Sequence, residues 1–384
     1  MTMEFSKRVE RVEPSATLEI GNRANELEAE GVDLVDLSVG EPDFPTPGNV
    51  VQAAKEALDD GHTGYTSSNG IPQLRKAVAG KLHRDGLPYE PGNVVITPGA
   101  KQALYEVVQA LVDDGDEVVL IDPSWVSYEA QGKLAGGDVE HVSTAEYDFQ
   151  LEPALDDLAG TVSDETALLL VNSPNNPTGA VYSDAALEGV RDLAVDHDVT
   201  VLSDEIYKEI TYDGPATSIA GLDGMFDRTV TVNGFSKAYS MTGWRLGYFA
   251  APEALVSQAG KLHSHSVSCA TNFVQHAAIE AIENTDAAVE RMVEAFGERR
   301  DLLIDLLADE GVHVPAPEGA FYLMIPVAGD DMAWVEEALE DAHVATVPGS
   351  AFDAPGYARL SYASSTDRIR EGVRRLAENG YLNG

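Results

Sequence analysis

Five short apolar runs, rich in β-branched residues, punctuate the middle of the chain and are separated by helix-length segments. They are NVVIT (93–97), DEVVLID (116–122), TALLLV (166–171), VTVLSDEIY (199–207) and RTVTVNGFSK (228–237). Strands this apolar must be covered on both faces. The segments between them supply that cover, so the pattern predicts a buried, mostly parallel α/β sheet between helix layers. Ligands of such sheets sit beyond the carboxyl ends of the strands. The residues just after each run are therefore the first candidates for chemistry.

After about residue 285 the pattern changes. A long helical stretch, AAVERMVEAFGERRDLLIDLLADEG, precedes the strand-like GAFYLMIPV and ARLSYAS. We read a smaller α+β domain from residues 1–45 and 286–384, and a large domain from 46–285. The 384 residues suffice for two domains and a sizeable core. No run of eighteen apolar residues predicts a membrane span. The start, MTMEFSKRVERVEPSAT, lacks an apolar export core, so a cytoplasmic protein is expected. A single cysteine, Cys269, excludes an internal disulfide and a multi-cysteine metal site, and no metal centre is expected.

Acidic residues number 65 against 25 basic ones, a formal net charge of −40, and they are scattered rather than gathered in a tail. Such a surface repels itself in dilute salt and argues against nucleic-acid or anionic-membrane partners. The pattern resembles proteins of salt-accumulating microbes, whose concentrated cations screen the surface.

Each strand end carries a candidate. PGAKQAL (98–104) turns into a helix through Gly99 and Ala100, small residues that let a phosphate approach free N–H groups at a helix start. Neither a Walker loop nor a G-x-G-x-x-G fingerprint is present, so a phosphate here belongs to neither ligand class. Trp125 follows the second run and offers an aromatic face. NSPNNPTG (172–179) is a turn by composition, in which Asn176 could present an amide. Asp204 closes a strand buried on both faces. It either caps the next helix or meets a positive partner. Ser236 and Lys237 follow the fifth run, with Arg245 eight residues beyond Lys237. Alone, Lys237 reads as a surface cation. Together the set supplies the needs of pyridoxal phosphate: a phosphate cup, a stacking face, a partner for the ring nitrogen, a donor to the ring oxygen and a Schiff-base lysine.

The ordered series EPSAT, LSVGEPDFPTP, GYTSSNGIPQLR, PGAKQAL, PSWVSY, NSPNNPTGAVY, SDEIY, FSKAYSMTGWRLGY, GAFYL, VPGSAF and ARLSYAS resembles the class I, fold-type I, pyridoxal-phosphate aminotransferases. Within them it is most similar to the aspartate aminotransferase subgroup, and the resemblance spans nearly the whole chain. It implies a seven-stranded sheet in a large cofactor-binding domain, and a homodimer with shared sites. Lys237 would carry the cofactor and shuttle the substrate proton. Asp204 would keep the ring nitrogen protonated. Tyr207, assisted by Asn176, would donate to the ring oxygen, and Trp125 would stack on the ring. Gly99, Ala100, Ser236 and Arg245 would hold the phosphate, with Tyr65 reaching across from the neighbouring subunit. Arg359 would clamp the substrate α-carboxylate beside Gly40, Asn176 and Trp125, and Lys101 would select a distal carboxylate.

Two departures stand out. Relatives often carry GGK where this chain has PGAK, although Ala100 still offers its N–H. Prephenate-using relatives tend to have a basic residue where this chain has Glu13, which argues against prephenate. The expected activity is amino transfer between aspartate and 2-oxoglutarate by a ping-pong mechanism. Aromatic, alanine or other donors, or C–S β-lyase chemistry on the same fold, are the alternatives. A ligand-sensing regulator is disfavoured by the −40 charge and by GEPDF falling near residue 40, which leaves no room ahead for a DNA-binding domain.

Overall fold

A computed structural model describes residues 4–14 and 16–382; Met1–Met3 and Ser15 of EPSAT lie outside the described residues. Among the described residues, twelve strands occur in chain order: β1 (Val35–Asp36), β2 (Val94–Thr97), β3 (Glu117–Asp122), β4 (Asp138–Ser143), β5 (Thr166–Asn172), β6 (Thr200–Asp204), β7 (Thr229–Gly234), β8 (Gly247–Ala250), β9 (Tyr322–Pro326), β10 (Val344–Ala345), β11 (Val347–Pro348) and β12 (Tyr357–Ser361). Seven of them form one sheet in the order β2-β8-β7-β6-β5-β3-β4, parallel except for β8, which runs against β2 and β7.

Side chains alternate across this sheet with the period of two that a pleated strand imposes. Val118, Leu120, Leu168 and Leu170 pack on one face with Ala103, Leu104 and Val107 of the helix Ala100–Leu111. Val119, Ile121, Leu169 and Val171 pack on the other with Leu187, Val190 and Ala194 of the helix Asp184–Asp196. Both faces are covered, which is why the runs read as continuously apolar.

The remaining strands make a three-stranded antiparallel sheet, β11-β12-β9, and a short parallel pair, β1 with β10. Ile20, Val35 and Leu37 share a core with Phe296, Leu303, Tyr322, Leu360, Ile369 and Leu376, so the first forty residues pack on the last hundred. Among the described residues, no helix is long and apolar enough to cross a membrane.

Three details differ from the sequence reading. The run VTVLSDEIY leaves the strand at Asp204, because the Asp204 carboxylate accepts from the Ile206 N–H at 3.1 Å and turns the chain. The two unread strands of the large sheet are β4, an edge strand with mostly exposed, polar side chains, and β8, only four residues long.

Candidate active site

Every expected large-sheet residue lands at one edge of the fold, at or just past the carboxyl ends of parallel strands. Gly99 is two residues beyond β2, Trp125 three beyond β3, Asn176 four beyond β5 and Lys237 three beyond β7; Asp204 ends β6. Arg359 comes from β12 of the smaller sheet and meets this edge, donating to Asn176 Oδ1 at 3.0 Å.

The phosphate-cup candidates fit tightly. Gly99 precedes the helix Ala100–Leu111 with φ of +92°, a conformation open to glycine, and no side chain caps that helix start. A Cβ on Gly99 would lie 2.6 Å from Arg245 Nη2, so the guanidinium rests directly against this turn. Gly247 lets β8 pass beneath, since a Cβ there would come within 2.4 Å of the Ala100 nitrogen. Ser236, next to Lys237 in the chain, is buried.

The cations of this edge are uncommitted. Elsewhere arginines find carboxylates: Arg23 with Glu340, Arg299 with Asp43, Arg375 with Asp33. Here Arg359 donates to Asn176 and, at 2.6 Å, to the Ser38 carbonyl, and its buried Nε has no partner among the described residues. Lys237 Nζ donates to the Gly40 carbonyl and Arg245 to the Thr242 carbonyl at 2.7 Å. Lys101 Nζ lies 4.5 Å from the centre of the Trp125 ring. In a chain with a 40-charge acidic excess, cations left on carbonyls and rings mark a place kept for anions.

Titration obeys the same logic. Burial, then repulsion from Arg359, brings the Lys237 amine down to about 8. Burial pushes the Asp204 carboxyl up to about 6, against the donations from Tyr128 and the Ile206 N–H. Lys101 is lowered by burial and by Arg245.

Four residues at the site carried no sequence reading. Tyr128 donates to Asp204 Oδ2 at 2.8 Å, and Asn172 bridges the Asp204 carbonyl and the Asn176 N–H. Tyr322 shares a 2.9 Å hydrogen bond with Tyr207, and Ser38 supplies the carbonyl under Arg359. Tyr322 lies within GAFYL, and Tyr128 ends PSWVSY, but neither motif tells which partner a hydroxyl will meet. Tyr65 stands apart from all of these in the single chain, 92 % exposed.

The model of the family described as aminotransferase class I and II matches residues 32–376. The chain belongs to that family. This aminotransferase is 42 % identical to an aspartate aminotransferase of Thermotoga maritima, over 98 % of this chain and 99 % of the relative. It is 43 % identical to an aspartate/prephenate aminotransferase of Thermus thermophilus, over 97 % of this chain and 98 % of the relative. The structure of a Thermus thermophilus aspartate aminotransferase with maleate superimposes with a TM-score of 0.95 at 42 % identity, covering 98 % of this chain and all of that one. The aminotransferase fold of those neighbours, a mostly parallel seven-stranded sheet between helices, is the fold of this chain.

Proposed function

We propose that this aminotransferase uses pyridoxal 5′-phosphate and moves an amino group between L-aspartate and 2-oxoglutarate by a ping-pong mechanism. The observation that carries the reading is the convergence of a buried carboxylate, an amine of lowered pKa and a buried arginine without a carboxylate partner. The relatives' names support aspartate as the donor.

The residues fit the cofactor. The uncapped helix start at Gly99–Ala100, with Ser236 and Arg245, would take its phosphate. Trp125 would cover one ring face, Tyr207 and Asn176 would address the ring oxygen, and Asp204 the ring nitrogen. When bound, the cofactor supplies an electron-withdrawing ring conjugated to the substrate Cα. Asp204 then faces a cation and stays ionised. Lys237, with its amine lowered to about 8, has roughly a tenth of its population neutral at pH 7, far more than an ordinary lysine, so it can act as a nucleophile and hold a proton taken at the substrate Cα. Arg359 and Asn176 bind the α-carboxylate beside Gly40, which fixes the Cα–H before the amine. Lys101, resting on Trp125, pairs with the distal carboxylate and excludes neutral donors. Glu13 sets prephenate apart as a poor substrate.

The same reading makes the catalytic unit a cytoplasmic homodimer. Exposed Tyr65 would contribute to the neighbour's phosphate cup, and the chain divides into 46–285 and 1–45 with 286–384. The acidic surface is adapted to concentrated salt. The test is spectroscopic. Protein loaded with pyridoxal phosphate in concentrated KCl is mixed with single amino acids. Aspartate and glutamate should convert the bound cofactor to its amine form, and alanine should not. A protein that takes up no cofactor, or keeps its lysine-bound spectrum after Lys237→Ala, refutes the reading.

A further inference from the structure

We infer that Tyr322 is a positioning residue that donates a hydrogen bond to Tyr207, leaving the Tyr207 proton free for the cofactor ring oxygen, while its ring seats the Arg359 guanidinium. This rests on the cofactor reading above. Tyr322 opens β9 and is 1 % exposed. Its hydroxyl lies 2.9 Å from that of Tyr207, and its ring stands at 83° to the Tyr207 ring. The Arg359 Cζ lies 4.4 Å from the centre of the Tyr322 ring. A Cβ on Gly40 would approach the Tyr322 hydroxyl to 3.3 Å, so the glycine leaves that hydroxyl its place.

A phenol carries one proton. Two phenols sharing one hydrogen bond use one proton in the bond and leave the other free. Tyr207 serves a ligand oxygen as donor only if Tyr322 is the donor within the pair. The charge above the Tyr322 ring favours that order. Burial raises both hydroxyls, and Arg359 opposes the rise at Tyr322 more directly than any other group. One side chain thus touches the carboxylate clamp through its ring and the ring-oxygen donor through its hydroxyl. The two functions separate by substitution: Tyr322→Phe removes only the hydroxyl, and Tyr322→Leu removes both.

The test compares wild type, Tyr322→Phe, Tyr322→Leu, Tyr207→Phe and the double Phe variant, each loaded with pyridoxal phosphate. A donor on the ring oxygen draws off charge that otherwise holds a proton on the Lys237 nitrogen. Losing its support should move the pH at which the lysine-bound cofactor changes absorbance upward. It should also weaken cofactor binding about 3- to 10-fold, as loss of one hydrogen bond does. Tyr322→Phe should leave the KM for aspartate within about twofold, and Tyr322→Leu should raise it about tenfold or more. The double Phe variant should titrate as Tyr207→Phe alone, an identity that a merely structural role would not produce. The proposal is overturned if Tyr322→Phe titrates and binds cofactor as wild type does, or if the two Phe substitutions add independently. Wild type that takes up no cofactor would instead overturn the reading beneath it.

Discussion

Asp204→Asn should stabilise the cofactor-free protein and cripple the loaded enzyme. Burial lifts this carboxyl from an ordinary 3.8 to about 6. Between those values the native state binds the proton more readily than the unfolded chain does. Stability from this group is therefore intact below about pH 4 and falls as pH rises to about 6. Two units at about 1.4 kcal/mol each cost roughly 3 kcal/mol at neutral pH. Asparagine has the same shape and no charge, and the Tyr128 hydroxyl can turn to accept from its amide. Urea unfolding of both proteins, followed by tryptophan fluorescence in concentrated KCl, gives the difference curve. It should be flat near zero at about pH 4 and climb to about 2–3 kcal/mol in favour of the variant by pH 7. In the loaded enzyme the same change would remove the partner proposed above for the ring nitrogen, and it should lower kcat at least about a hundredfold. A difference curve that stays flat across the range, or a variant less stable at pH 7, would show that Tyr128 and the Ile206 N–H already satisfy the ionised carboxylate, and the reasoning would fail.

Arg359→Lys replaces a planar fork by a point charge and should raise the KM for aspartate about 10- to 100-fold, measured by steady-state kinetics at fixed oxo acid. Lys101→Gln should lower kcat/KM for aspartate about tenfold or more while leaving alanine nearly unchanged, read in the same assay. Tyr65→Ala and Lys237→Ala chains, each inactive or weak alone, should regain activity when unfolded and refolded together, because one mixed dimer then holds one intact site; no regain would refute the shared site. Lowering ionic strength should lower the melting temperature of a chain at −40 and, by raising repulsion of anionic substrates, also lower kcat/KM, followed by calorimetry and initial rates across a KCl series.

Local chemistry is the part of the fold that the sequence reveals. Runs such as TALLLV and RTVTVNG become β5 and β7 because two-sided burial writes itself into a continuous apolar string. β4 is silent because an edge strand with a wet face needs no such string, and β8 because Gly247 is chosen for its close approach to Ala100 rather than for strand propensity. Lys237, Asp204 and Arg359 are legible through the ordered motifs around them. Tyr128 and Tyr322 are not, because their partners lie 76 and 115 residues away and no spacing encodes a contact that only the folded sheet creates.

The position of these residues explains why one edge of the molecule can hold so many unpaired charges. Parallel strands end together, so β2, β3, β5, β6 and β7 deliver five turns to one rim, each with backbone groups the sheet no longer uses. Carbonyls at this rim become the provisional partners of the site: Gly40 O for Lys237, Ser38 O for Arg359, Thr242 O for Arg245. A neutral carbonyl holds a cation in place at small cost and yields it when an anion arrives. A carboxylate in the same spot would hold it permanently. In a chain where acids outnumber bases by 65 to 25, keeping carboxylates off these cations requires specific placement. Glu41 and Asp204 are the carboxylates whose charge reaches Lys237, and neither forms an ion pair with it among the described residues. Asp204 ends β6 at this rim, where burial raises its pKa; in the function proposed above, a positive ring nitrogen would restore its charge.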